Sequence, residues 1–396
     1  MNNSRTTSRF AKRFATGLGV VVLASSVAIP AGGANQAPSA AAKNNLTIMI
    51  GEPDADWCNQ GSPGVDQVAA KNAVLETLTI LNDQNKVVPY LAEKVTASAD
   101  KKVWTVVLRQ GIKFHDGEEL TSATVEMNVL ANNGLIQAVT GGKGPAASLP
   151  AIAWLDYMGV NSKSGTAAIV GAWGKFFKKV DKYTVQFTLP VSNPSFSYNL
   201  WAEGRSTIAS TQMLLNPACG TTVVSGTGPF MVKSKGIDKN TTVLVANPNY
   251  WRSTATNKLP KAQQVTFSVV GDAAQRVNAL QKGQADIATF GATAGVQINK
   301  LKTLKSSITL AAGPQNVSWN FHLNTVALPF KSKNAREAFA QAFDSATFVK
   351  VMTQGNGLAA DGIASKSHPV LPAKPIAEVQ RRESKSISSC LQDRSW

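Results

Sequence analysis

The strongest constraint on how this chain folds is one stretch, Val103 to Val125. Val103-Trp104-Thr105-Val106-Val107-Leu108 alternates β-branched and aromatic residues, which predicts a strand. Gln110-Gly111 and His115-Asp116-Gly117 supply two turns, because Gly tolerates positive φ and Asp bonds its own backbone. Thr121 is placed to cap a helix that begins at Ser122. A strand, a short strand, a turn and a capped helix in about two dozen residues point to an α/β arrangement.

The rest of the chain reads the same way. Alternation predicts strands at Leu46–Ile50, Val185–Leu189, Met231–Lys235, Val243–Ala246 and Val265–Val270. Amphipathic spacing predicts a helix over Gln67–Thr77, and a further helix is expected over Asn334–Asp344. Asp272-x-x-Gln275 is a capping box, Ala273, Val277 and Leu280 share one helical face, and Gly283 falls where a C′ glycine is expected. Asn82 to Asn85 is a turn. With 396 residues, two or three domains with their own cores fit.

The N-terminus reads as a secretory leader. Arg5, Arg9, Lys12 and Arg13 precede a short apolar run from Phe14 to Pro30, and Ala/Gly-rich sequence follows to Ala42. No Cys precedes Cys58, so no lipobox is visible, and an exported protein peripheral to the membrane is expected. The formal charge of +16 stays strongly positive after the leader and the tail are set aside. That balance favours anionic envelope polymers or lipids as nonspecific partners. Nucleic acid fits poorly, because the basic residues are scattered. Of Cys58, Cys219 and Cys390, the first two could form a disulfide, although connectivity is not readable from sequence.

The opening stretch resembles a signature of the extracellular solute-binding proteins of family 5, W-x-x-x-L-R-x-G-x-x-F-H-D-G-x-x-L-T-A-x-D-V. The matches are Trp104, Leu108, Arg109, Gly111, Phe114, His115, Asp116, Gly117, Leu120, Thr121 and Val125. Ser122 stands where Ala is usual and Thr124 where Asp is usual, which removes an anion from the first helical turn. Gly226-Thr227-Gly228-Pro229-Phe230, Asn247-Pro248-Asn249-Tyr250-Trp251 and the Gly-x-Ala-Asp at 283–286 resemble the family again.

The resemblance implies an α/β fold of the periplasmic-binding-protein type II kind, two lobes with an extra family-specific domain, the second lobe incomplete. The expected division is 1–42 leader, 43–83 first lobe, 84–210 extra domain, 211–305 first lobe again, 306–369 second lobe and 370–396 a non-family tail, truncated or frameshifted. It also implies a monomeric binding component of an ABC importer, partnered by a permease and its ATPase, that takes di- or oligopeptides outside the cytoplasmic membrane. Some relatives bind oligosaccharides by stacking on aromatics, and eight tryptophans keep that alternative open.

Candidate ligand contacts are Trp57, Val65 and Asp66 in the loop from Trp57 to Asp66, the turn Gly226, Thr227 and Gly228, and Trp319, Asn320 and Asn324 on an expected strand over 318–324. Each of these also has an ordinary structural role to play. No catalytic residue, metal site or cofactor is expected. His115, His322 and His368 lie far apart, His115 reads as a turn residue, and neither a G-x-S-x-G elbow nor a complete phosphate loop is present. A glycosidase carboxylate pair would have to be chosen arbitrarily among turn and surface acids such as Asp54, Asp56, Asp116, Glu118 and Glu119.

Overall fold

In a computed structural model the described residues are 20–24, 44–52, 57–58, 65–144, 165–202, 206–217, 219–220, 223–237, 240–304, 308–311 and 321–359. A seven-stranded mixed sheet forms the larger body. Its spatial order is Phe230–Ile237, Thr241–Ala246, Gln264–Val269, Asn45–Ile50, Ile287–Phe290, Val20–Ala24, Ile308–Ala311. Asn45–Ile50 pairs in parallel with both neighbours, and the remaining pairs are antiparallel. The strand Val20–Ala24 falls inside the span read from sequence as a leader, and joins Ile308–Ala311 to the rest of the sheet.

A second, four-stranded antiparallel sheet is built from Ala92–Ala97, Val103–Leu108, Thr184–Thr188 and Phe177–Asp181. Along Val103–Leu108 every second residue is buried, so the alternation seen in the sequence is a buried face and a half-buried one. Helix Ser122–Asn132 follows as expected, behind Thr121 in extended backbone. Thr124 recovers part of what the missing Asp would do. Its Oγ accepts the Thr121 N–H at 3.4 Å and donates to the Glu119 carbonyl at 3.2 Å.

Other expectations hold with shifted ends. The Asp272 carboxylate accepts the Gln275 N–H at 2.8 Å, and helix Ala273–Gln281 ends two residues before Gly283, at φ +67°. The helix expected to reach Thr77 stops at Val74, and Glu76–Thr77 is a short strand paired with Thr207–Ile208. Long-range pairing there overrides helical continuation. The helix near the end of the described chain is Lys333–Ala342, and Asp344 instead caps a further helix, Ser345–Thr353, through the Ala346 and Thr347 N–H groups. Phe321–Asn324 lies outside any helix or strand, so the expected strand does not form in the described part of 318–324.

Residues 321–359 hold together around an aromatic cluster of Phe321, Phe330, Phe339, Phe343 and Phe348. They meet the larger body where Gly295 lies against Thr353: a Cβ at Gly295 would sit 2.2 Å from the Thr353 carbonyl. Asn356 adds hydrogen bonds to the Gly295 carbonyl and to Asn299.

Cys58 and Cys219 form a disulfide across 161 residues. In the chain-entropy account, closing a loop of that size constrains the unfolded ensemble strongly. Replacing both cysteines by serine is expected to lower stability by roughly 2–5 kcal/mol, read from the urea midpoint at unchanged m. A midpoint equal to that of the oxidised parent would show that the bridge adds nothing.

Candidate functional site

The family-like segments meet around one carboxylate. Glu76, 3 % exposed, accepts four hydrogen bonds from three separate parts of the chain. Tyr90 and Tyr250 donate their hydroxyls to one oxygen, each at 2.7 Å. The Trp251 indole N–H and the Thr227 hydroxyl donate to the other, at 2.7 and 2.9 Å. Burial pushes the Glu76 carboxyl up from its ordinary value, and the donors from Trp251, Tyr90, Tyr250 and Thr227 oppose that shift. Tyr90 and Tyr250 are pushed well above the ordinary phenol range, first by burial and then by the Glu76 charge, so both stay protonated donors.

The Gly226-Thr227-Gly228 turn is pressed against the end of helix Val65–Val74. A Cβ at Gly226 would lie 2.1 Å from the Val74 carbonyl oxygen, and one at Gly228 would lie 2.6 Å from it. The Gly228 N–H donates to that same carbonyl at 2.9 Å, satisfying an acceptor that the helix end leaves open. Both glycines are therefore demanded by close approach.

Two further motifs lock onto this turn. The His115 Nε2–H donates to the Gly228 carbonyl at 3.0 Å, while the Gly226 N–H donates to Nδ1 at 3.3 Å, a pattern that fits the neutral Nε2–H tautomer. Burial lowers the His115 pKa, which agrees with that neutral state. Asn247 donates its side-chain amide to the Gly228 carbonyl at 3.0 Å and accepts the Asn249 N–H at 2.9 Å, which orients the turn carrying Tyr250 and Trp251. His115, read from sequence as a local turn residue, in fact ties the smaller sheet's turn to the larger body.

The expected contact residues separate. Thr227 is fully buried and spent on Glu76, and Gly226 and Gly228 are packed against the helix end. Trp57 is 1 % exposed, and its indole N–H has no partner among the described residues. Val65 and Asp66 begin helix Val65–Val74, with side chains outside the description. Trp319 and Asn320 lie outside the described residues. Asn324 is exposed and its side chain caps the Val326 N–H at 3.1 Å. Sequence reasoning missed Glu76, Tyr90 and His115 as a connected set. The signal available was an acid within Val74-Leu75-Glu76-Thr77-Leu78, an unusual neighbourhood for a surface carboxylate. Among the described residues no group of three or more His, Cys, Asp or Glu side chains is placed to hold a metal ion.

Residues 86–385 match the model for bacterial extracellular solute-binding proteins, family 5 (Middle). The chain belongs to that family. The match overlaps 370–385, which the sequence reading had set outside it. Among curated relatives, the probable D,D-dipeptide-binding periplasmic protein DdpA of Escherichia coli is 29% identical over 274 residues, 67% of this chain and 46% of that protein. A dipeptide-binding protein of Escherichia coli is 25% identical over 290 residues, 70% of this chain and 50% of its own length. This family member thus spans about half the length of the curated relatives it matches. Its fold is that of the type II periplasmic binding proteins. The Helicobacter pylori DppA structure, in complex with the peptide STSA, aligns with TM-score 0.61 at 18% identity, covering 87% of this chain and 66% of that one. AgaA from A.tumefacien, in complex with agropinic acid, aligns with TM-score 0.59 at 22% identity over 88% and 64%. Proteins of the family act in the periplasm or outside the cell, and among the described residues no helix is long and apolar enough to cross a membrane.

Two outcomes are expected at the Glu76 hub. Glu76→Gln replaces one of the two acceptor oxygens by an N–H₂ group, so the donors on that side lose their acceptor, at about 1–3 kcal/mol for each buried donor left unpaired. The pH dependence carries a definite sign. A carboxyl with a raised folded pKa binds its proton more tightly when folded, so its contribution is fully present below the ordinary value of 4.5 and is lost as pH rises through the folded pKa. Melting profiles of parent and E76Q across the acid-to-neutral range should therefore diverge, with the parent losing more stability as pH rises. Parallel profiles would refute the raised pKa. For the turn, Gly226→Ala should destabilise by roughly 1–3 kcal/mol through overpacking against the Val74 carbonyl, measured by denaturant titration.

Proposed function

We propose that this protein is the substrate-binding component of an ABC importer that captures short peptides outside the cytoplasmic membrane. On this reading it delivers them to a permease and its ATPase. The observation that carries the proposal is the family match over 86–385, joined to the peptide-bound relative of the same fold. The names of the curated relatives, which bind dipeptides or glutathione, support the same ligand class. Physically, peptide capture needs two bodies that close on a ligand, with backbone groups of the peptide finding partners in the cleft.

The motif junction acts here as the rigid part of such a device. Thr227 and the two glycines of its turn have no atoms to spare for a ligand, so they hold the frame. Peptide contacts fall instead to the segment around Trp57, Val65 and Asp66 and to Trp319, Asn320 and Asn324. The task is capture and release, without a covalent step.

A second reading has a specific observation behind it. Structures of MoaA with mannopinic acid and AgaA with agropinic acid share the fold, so a sugar-derived amino acid conjugate is the competing ligand. Thermal-shift and calorimetric titration with a tetrapeptide, with mannopinic acid and with a neutral oligosaccharide separates the readings. Peptide at one hundred times its dissociation constant should add about 2.7 kcal/mol of stability. A shift seen with the conjugate or the sugar alone would overturn the peptide assignment.

A further inference from the structure

Beside the Glu76 hub, on its solvent side, lies an open concavity of about 490 Å³ lined by Glu93, Arg109, Gln110, Gly111, Ile112 and Trp251. Arg109 is held at its neck. Its Nε–H donates to the Tyr90 carbonyl at 2.8 Å, and its guanidinium carbon lies 5.8 Å from the centre of the Trp251 ring. The Nη groups have no partner among the described residues, so the bidentate edge of the fork is unspent. Gly111, at φ +75°, turns the backbone two residues after Arg109. The N–H groups of Gln110 and Gly111 also have no partner among the described residues. Successive free amides at such a turn favour an anion.

The opposite charge comes from a bulge. In the pairing of Ala92–Ala97 with Val103–Leu108, Ala92 faces Leu108 and Lys94 faces Val107, which leaves Glu93 as the extra residue. Bulges re-aim a side chain and are over-represented next to binding sites. Glu93 and Arg109 line one concavity, yet among the described residues they form no ion pair with each other or with any other group. The same concavity is lined by two apolar surfaces, the buried Ile112 and the Trp251 ring.

We propose that this concavity is a second ligand site, for a small zwitterion such as a free α-amino acid with an apolar side chain. Its carboxylate sits on the Arg109 fork and the Gln110–Gly111 amides, its ammonium on Glu93, and its side chain against Trp251. The volume falls within the range of small-molecule sites. The site is distinct from the residues assigned to peptide capture, and occupation would brace the Tyr90–Trp251 side of the hub.

The test is calorimetric titration of the full chain with three probes: L-phenylalanine, N-acetyl-L-phenylalanine, which lacks the ammonium, and phenethylamine, which lacks the carboxylate. L-phenylalanine should bind more tightly than either partial probe. Glu93→Gln, a change at an exposed side chain, should weaken L-phenylalanine about tenfold while leaving N-acetyl-L-phenylalanine unchanged or tighter. Arg109→Gln should abolish binding of both carboxylate-bearing probes, its melting temperature being checked because Arg109 also braces Tyr90. Tetrapeptide binding should survive E93Q, so failure of this site and failure of the peptide reading remain distinguishable. Equal affinity for L-phenylalanine and its N-acetyl form, insensitivity to E93Q, or no heat at millimolar L-phenylalanine would each overturn the proposal.

Discussion

The structure depends on a carboxylate that has been taken out of water. An isolated buried Glu is strongly disfavoured, and Glu76 is tolerable only because four donors converge on its two oxygens. Those donors come from residues 90, 227, 250 and 251, so the local requirement becomes a long-range one. Each segment must arrive in position for the charge to be satisfied, and each is then held by it. Arg252 adds a guanidinium 5.2 Å from the Tyr90 ring centre and 5.8 Å from that of Trp251, placing positive charge beside the same aromatic wall.

Backbone contacts around the hub do the complementary work. The Gly226–Gly228 turn closes the end of helix Val65–Val74, His115 bonds that turn from the smaller sheet, and Asn247 bonds it from the larger one. A turn that the sequence offers as a candidate ligand contact is thus one of the most constrained parts of the molecule. Residues 321–359 are held more lightly. Their two helices bury almost nothing, and they are held by a Phe cluster and the Asn356 contacts at Gly295.

Much was legible before the structure, wherever a local rule had no competitor. The strand at Val103–Leu108 and the Asp272 cap rest on period and on one side chain reaching one backbone group, and both stand within a residue of expectation. The reading failed where a distant partner intervened. Glu76 and Thr77 carry a helical pattern forward, yet pairing with Thr207 and Ile208 makes them a strand. Trp319, Asn320 and Asn324 are expected on one strand over 318–324, but 321–324 has no regular structure.

By itself, then, the sequence determined the α/β class, several strands of the two sheets (Asn45–Ile50, Val103–Leu108, Thr184–Thr188, Thr241–Ala246 and Gln264–Val269) and the family, because periodicity, capping and turn chemistry act over a few residues and leave their mark in the order of residues. Tertiary structure alone decided that Thr227 serves Glu76, that His115 is a tie between sheets and that the Gly226–Gly228 turn is a buried brace. The opening stretch, which looked self-contained, also proved to carry Arg109 to the rim of a concavity opposite a bulged Glu93. Contacts across more than one hundred residues leave no local pattern, since the satisfaction of a buried charge is a property of the assembled neighbourhood and not of any segment in it.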